Sequence, residues 1–436
     1  MAWIEKYYKR ILFTIIVSSF LISLGYSFYF LLEPAVDARA YDEIAWNIAQ
    51  GHGYSNDAIN RPGPGYEFFL ALIYSVFWHS YAAVWVIQAV LLAFTAYLAF
   101  AISRLIFGEM WHPIMGLLTS VFVGFSPDLI TTTAMLMTEA LVVFLVIATV
   151  YLFMAGVTYE KKWYFLFAGI VVTLTALTRS NTIFLILPFL GWFLYKRKWI
   201  TGLFFLAVVL LCLSPWTVRN YKIFHEVRPF NGAYGLIYVG NHAGASGELD
   251  LNYPIPPVAG DFNALSQIEQ DRVLRRAGID FIKQHPLSFL KLTLLRTSIY
   301  FSAARPYAFW PHLQGSLRLL MIVVSSFSAI ILFLFGAVGF FFAIRTSQLR
   351  IQAMSILLGV SVIALSLGVV WLIIETRYRF PIYPLLAVFA GFGLWRCVRD
   401  RKILFQEWKI ILFIAGVFFG NTLFDAVRNL GRIFGK

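Results

Sequence analysis

The chain has 436 residues, of which 60% are hydrophobic, 18% aromatic and only 13% charged, a balance that a water-soluble domain does not carry. Its formal net charge of +13 lies in short Lys/Arg clusters between long apolar runs, the pattern that encodes membrane topology and not nucleic-acid binding. The two cysteines, Cys212 and Cys397, sit in or beside apolar runs and suggest neither a disulfide framework nor a thiolate metal site.

Taken from the N-terminus, the basic flank MAWIEKYYKR precedes an apolar run, 11–32, that is too long for a cleaved signal sequence and has no small-residue cleavage site; it reads as an uncleaved signal anchor. Further runs follow at 83–107, 113–130, 134–157, 163–178, 181–195, 199–214, 317–344, 352–374, 380–396 and 408–424. They make about eleven helices, since hydrocarbon offers backbone groups no partner outside a helix or a closed barrel, and barrel-like alternation is missing. The runs 163–178 and 181–195 are short and separated only by Arg179 and Ser180, so they read either as two helices meeting near the interface or as one interrupted pair. The expected fold is an all-α polytopic membrane protein, one domain over 1–436.

With the N-terminus in the cytoplasm, Lys6, Lys9 and Arg10 fall inside, and so do Lys161 and Lys162, residues 196–198, Arg345, Arg350 and residues 396–402. The same threading puts 33–82, 126–133, Arg179, 215–316 and 375–379 on the outer face. The tail with Arg428, Arg432 and Lys436 then lies outside, against the positive-inside rule.

Two outer segments are long enough for structure of their own. The first, 33–82, predicts a helix from about residue 38 to 50 stopped by Gly51 and Gly53, a Pro/Gly turn at 62–65, and an apolar stretch at 67–78 too short to span. The second, 215–316, opens with glycine-rich loop sequence, passes through a charged helical stretch at 266–284, and ends in a segment, 286–302, that carries Lys291 and Arg296 on an apolar background, as an interfacial helix does. No internal repeat, low-complexity segment or soluble C-terminal domain is evident.

Unusual polar residues gather on this outer side. In a helix over 38–50, Tyr41, Ile44, Ala45 and Ile48 share a face, and Asp37 lies on its extension, pointing toward the protein; Asp42 and Glu43 point more toward water. Asp37 suits a helix N-cap, a base, or both. Arg61 opens the turn RPGPGY that ends in Tyr66, and reads either as a bidentate phosphate ligand on a rigid turn or as a snorkelling side chain. Glu139 near an outer helix end is either structural or a carboxylate facing the same cavity as Asp37. Arg179, Arg219, Arg305, Arg377 and Arg379, with Glu375, also sit at outer helix ends, where they would form an anion site or pair with Glu375 and lipid phosphate. Asn241 belongs to a glycine-rich loop, 238–250, able to line a cavity. No Walker, HExxH, CxxC, GxSxG or Rossmann pattern occurs, and His52 and His242 lack partners at ligand spacing. No cofactor is expected, with metal dependence left open.

DARAYDEIAWNIAQGHGY after the first span, RPGPGYEFFLALIY, LMTEAL at 136–141, LTRSN at 177–181, SPWTVRNY at 214–221, NGAYGLIYVGNHAGASG at 231–247 and ETRYRFPIYPLLA at 375–387, in that order and on one face, resemble the membrane-embedded GT-C glycosyltransferases. Within them the chain is similar to the bacterial relatives of dolichyl-phosphate-mannose protein mannosyltransferases and of lipid A aminoarabinose transferases. The resemblance implies transfer of a sugar from a polyprenyl-phosphate carrier to an acceptor on the outer face of the inner or plasma membrane. The expected partners are that lipid-linked donor, a lipid, glycan or protein acceptor, and membrane lipids. It makes Asp37, in a D-x-x-x-Y pattern with Tyr41, the base, Asp42 the fallback, and Arg61 a carrier-phosphate ligand; the outer-face arginines Arg179, Arg219, Arg305 and Arg377, read above as an anion site, are expected as further phosphate ligands. Tyr41, Tyr66, Glu139, Asn241 and Glu375 are expected to line the substrate cavity. RPGPGYE departs from the commoner RPPGYP form, and with it the path of the loop. The competing readings are a transporter or flippase without covalent chemistry, which predicts polar groups at the membrane midplane and repeated halves, and a passive assembly partner, which leaves Asp37 replaceable.

Overall fold

The computed structural model describes residues 2–54, 63–230, 234–249, 252–257, 261–303 and 312–430. Within them the chain is helical, and one isolated bridge, Glu248 to Ile374, is the strand-like pairing. The helices are α1 (Ala2–Phe30), α2 (Asp37–Ala49), α3 (Gly65–Phe77), α4 (Tyr81–Phe107), α5 (Pro113–Gly124) and α6 (Pro127–Ala134). Next come α7 (Thr138–Tyr159), α8 (Lys162–Thr178), α9 (Ile186–Tyr195), α10 (Trp199–Phe224), α11 (Leu236–Gly240) and α12 (Gln267–Gln284). The chain continues with α13 (Pro286–Tyr300), α14 (Gly315–Ile344), α15 (Leu349–Val370), α16 (Tyr383–Arg399), α17 (Arg401–Gln406) and α18 (Trp408–Arg428).

Eight of the described helices are long and apolar enough to cross a membrane, or nine if α5 and α6, bent by 47° at Phe125 and Ser126, count as one span. Every run expected from the sequence has its helix. The expected count of eleven is not reached by length and composition, because α8 has only 17 residues and the next run divides into a 3-10 turn, Ser180–Leu185, and the 10-residue α9. These are two helices meeting at Arg179, the first of the two readings above.

Local chemistry sets the breaks. Ser126 accepts the Leu129 N–H and Pro127 opens α6, so α5 ends where α6 is capped. Ser266 and Glu269 form a reciprocal capping box at the start of α12. Gly51 and Gly53, at φ +83° and +81°, stop α2 at the expected place.

The spans pack closely through small residues, as they must where lipid gives helices no hydrophobic reason to associate. A Cβ added to Gly339 of α14 would lie 1.9 Å from the Phe389 carbonyl oxygen of α16, and one on Gly391 would lie 2.4 Å from Thr119 Oγ1 of α5. Asp128 of α6 is buried and accepts the Tyr383 hydroxyl at 2.9 Å and the Ser325 hydroxyl, tying α6 to α14 and α16.

Polar contacts sort the connections to two ends of the bundle. Lys198 pairs with Glu160 at 2.9 Å, Arg345 with Glu407 at 3.1 Å and His112 with Glu5 at 3.2 Å, gathering the basic loops at one end. The segments following α1, α8, α10 and α15 meet at the other. α18 runs from Glu407 at the first end to Arg428 at the second, where Arg428 Nη2 lies 2.5 Å from Glu248 Oε1 and 3.4 Å from Asp425 Oδ1. Arg428, which breaks the positive-inside pattern, is thus neutralised locally. One expectation for 286–302 changes: α13 shows Leu287, Leu290 and Leu294 outward as an interfacial helix would, but Arg296 is fully buried. It donates to the Gly240 carbonyl, to Val370 O at 3.4 Å and to Asn241 Oδ1 at 3.1 Å, capping the C-terminal ends of α11 and α15.

Candidate active site

At the end where these loops meet lies a cavity of about 850 Å³. Its polar corner is built from Asp37 and Tyr41 of α2, Thr138 and Glu139 at the start of α7, Arg179, Ser180 and Asn181 after α8, and Arg377 and Tyr378 after α15. Its apolar part comes from Ile183, Phe184, Phe230, Ile237, Ile279, Val369 and residues 371–373, with Tyr234 and Arg275 beside them.

Glu139 is the centre of the polar corner. Its side chain is only 2% exposed; Oε1 accepts Arg179 Nη1 at 3.0 Å and lies 3.6 Å from Arg377 Nε. Arg377 reaches outward from this buried acid, with Nε at 2.6 Å from Glu375 Oε2 and Nη2 at 3.4 Å from Asp37 Oδ2. Arg179 lays its guanidinium 4.2 Å from the centre of the Tyr378 ring. Three carboxylates therefore share two guanidinium groups, and the Asp37 side chain, 50% exposed, is the one that opens to the cavity.

Asp37 is the first residue of α2, whose N-cap is Val36 and which has no side-chain cap. The capping role is thereby corrected: the carboxylate spends its bond on Arg377. One turn on, Tyr41 is buried edge-on against Tyr66, with ring centroids 5.4 Å apart. Burial, helped by the charges of Glu67, Asp37 and Glu139, pushes the Tyr41 phenol well above its ordinary range and keeps it protonated.

Several expected site residues lie elsewhere. Asp42 is buried, not solvated: Tyr74 donates to Oδ1 at 2.5 Å, Tyr81 donates to Oδ2 at 2.7 Å, and His79 Nε2 lies 2.8 Å from Oδ1. Its face of α2 is covered by α3 and the start of α4, which periodicity within α2 alone does not reveal. Tyr66 is fully buried behind Tyr41 and donates to Gln88 at 3.0 Å. Asn241 is fully buried and takes Arg296. Glu375 borders the cavity only through Arg377, and Arg219 stacks on Trp216 and Tyr54 at 4.6 and 5.0 Å in a neighbouring aromatic cluster. Arg379 turns inward to the Tyr300 carbonyl at 3.3 Å. Arg61 and Arg305 lie outside the described residues.

The turn after Arg61 is described from Gly63 onward. A Cβ on Gly63 would lie 1.9 Å from the Leu177 carbonyl oxygen and one on Gly65 2.3 Å from Thr178 Oγ1. The spacing of RPGPGY thus docks two glycines onto the last turn of α8, immediately before Arg179.

Sequence reasoning missed Arg275, Asn181 and Trp371. Arg275 had a signal: Asp271, Arg275 and Ile279 recur at helical spacing on α12, placing them on one face. Asp271 holds Arg228 Nη2 at 2.6 Å and the Gly235 N–H at 2.7 Å, which fastens the loop carrying Phe230 and Tyr234 to α12. Burial alone would lower the Arg228 pKa, but its bonds to Asp271 and Glu226 outweigh that and raise it. Asn181 and Trp371 had none; among the described residues their Oδ1 and Nε1 atoms are buried without a hydrogen-bond partner, an arrangement native interiors rarely leave without a use. No group of three or more potential metal ligands occurs among the described residues.

Residues 60–218 match the family model described as dolichyl-phosphate-mannose-protein mannosyltransferase. No curated protein sequence matches the chain. Among solved structures, ArnT from Cupriavidus metallidurans bound to undecaprenyl phosphate is similar over 88% of this chain and 60% of its own, at 12% identity and a TM-score of 0.50. The oligosaccharyltransferase of Archaeoglobus fulgidus in the apo form is similar over 100% of this chain and 55% of its own, at 13% identity and a TM-score of 0.50. The chain thus spans 55 to 60% of the length of these structures. In fold it resembles GT-C type integral-membrane glycosyltransferases.

Proposed function

We propose that the protein is a glycosyltransferase that moves a sugar from a polyprenyl-phosphate donor to an acceptor at the outer face of the membrane. The observation that carries this reading is the polar corner of the cavity, where the half-exposed carboxylate of Asp37 opens beside guanidinium groups and an apolar wall. The matched family model and the undecaprenyl phosphate held by the similar ArnT structure support it.

The acceptor hydroxyl or amine attacks the anomeric carbon as Asp37 takes its proton; the bond from that carbon to the phosphate oxygen breaks, and the electron pair leaves with the carrier phosphate. The charge gained by the phosphate is stabilised by arginines. The unpartnered Asn181 Oδ1 and Trp371 Nε1 supply an acceptor and a donor for sugar hydroxyls, with inversion at the anomeric carbon as the stereochemical outcome. The apolar wall suits the isoprenoid chain.

The test is label transfer by the purified protein from radiolabelled polyprenyl-phosphate sugars to lipid or protein acceptor extracts. Asp37→Asn should lower the rate by about 10²- to 10⁴-fold, the usual worth of a positioned base. Undiminished transfer would remove Asp37 as base. Absence of transfer with every donor, together with lipid flipping by the wild type, would replace the enzyme with a transporter.

A further inference from the structure

We propose that Arg275 of α12 is the contact for the carrier phosphate, so that the phosphate and the base are held on separate walls of the cavity. The proposal rests on the glycosyl-transfer reading and adds a residue and an orientation to it.

Charge is balanced differently on the two walls. Arg179 and Arg377, the guanidinium groups beside Asp37, are already committed: Glu139 takes both, and Glu375 and Asp37 take Arg377. Two cations face three carboxylates there, and Glu139 is 2% exposed. An incoming phosphate that drew these arginines away would leave a buried carboxylate unpaired, which is strongly unfavourable. This wall favours a neutral acceptor and the proton it gives up.

The α12 wall has the opposite balance. Arg228, Arg272 and Arg275 face Glu226 and Asp271. Asp271 is taken by Arg228 and by the Gly235 N–H. Glu226 has one oxygen on Arg272 Nε at 2.5 Å and the other on Arg228 Nε at 2.9 Å. Arg275 reaches Glu226 only at 3.9 Å, and among the described residues has no other acidic partner. Its side chain is 38% exposed, lines the cavity, and lies beside the Tyr234 ring at 5.9 Å. It is therefore the described cation of the cavity with a fork of donors to spare, and a guanidinium offers phosphate two parallel bonds.

During transfer, the anomeric carbon exchanges its bond to the phosphate oxygen for one to the acceptor. The acceptor proton goes to Asp37, and the phosphate goes from one negative charge to two beside Arg275. An inverting displacement requires nucleophile and leaving group on different sides of the sugar, and the two walls supply that order.

The test is equilibrium binding to the full-length protein in lipid nanodiscs, with undecaprenyl phosphate and undecaprenol as probes. Wild type should prefer the phosphate. Arg275→Ala should lose at least tenfold in phosphate affinity while keeping its affinity for undecaprenol, Arg275→Lys should lie between, and Arg276→Ala, the exposed neighbour, should match wild type. An Arg275→Ala protein that retains the phosphate preference overturns the assignment and leaves the proposed function standing. Equal loss of both ligands gives Arg275 a structural role and also overturns it. A wild type without phosphate preference sinks both readings together.

Discussion

Two acids five residues apart on one helix illustrate how differently neighbouring residues of one type are used. Asp42 is held by Tyr74 of α3, by His79 after it and by Tyr81 at the start of α4, whereas Asp37 opens to the cavity. Asp42→Asn should therefore lower thermal stability, by about 1.5–3 kcal/mol for each charged bond weakened, while the protein that remains folded transfers sugar at close to the wild-type rate. The reverse pattern, stable but inactive, is expected of Asp37→Asn, and a fluorescence melting curve beside the transfer assay separates the two. Glu139→Gln should do both kinds of damage. Removing one partner of a buried ion pair costs about 3–5 kcal/mol, and Arg179 and Arg377 would then face each other across the corner without their shared anion. Asp37, Tyr41, Glu139, Arg179 and Arg377 were legible as a set because each stands at or near a helix end at the same end of the bundle. Asp42 was not, since a single helix's periodicity reports one apolar face and cannot announce that a second helix, α3, covers the other. The uses of Tyr66 and Asn241 were hidden for the same reason: their partners, Gln88 and Arg296, come from other elements.

Among the elements, the turn from Gly63 to Tyr66 has little freedom. Its two glycines touch the backbone and side chain of Leu177 and Thr178, so the turn and the start of the Arg179 segment move as one body. Gly63→Ala should push the turn off α8 and misplace its neighbours; a displacement of about 1 Å near a reacting centre costs on the order of 10²-fold in rate. Gly25→Ala in α1, where an added Cβ meets nothing within 4 Å, should be neutral or stabilise by about 0.5–1 kcal/mol. Equal activities for the two variants would count against the turn as a positioning element. The elements themselves were legible nearly throughout, because about 20 apolar residues in a row have few structural options. What the pattern did not resolve was length: the helices of 163–178 and 181–195 are shorter than the eight that are long and apolar enough to cross a membrane.

At the scale of the whole molecule, the sorting of polar contacts to two ends makes topology testable with one reagent. A cysteine at exposed Glu43 of α2 should react with an impermeant thiol reagent on intact cells, and one at Lys161 only after permeabilisation; labelling in the opposite order would invert the orientation proposed here. The latch between α18 and the loop beside the site bears on the order of assembly. Arg428 meets Glu248 across a separation of 180 residues, and α18 further binds Ser298 through Asn421 at 2.5 Å and the Ala303 N–H through Thr422 at 3.1 Å. A chain made from its N-terminus exposes the 246–248 loop, and Ile374 that it bridges, long before α18 exists to hold them. Contacts so distant in sequence form late and slowly. The cavity wall next to Arg377 thus waits for α18, and an immature chain that has already inserted its earlier spans would still lack a finished site.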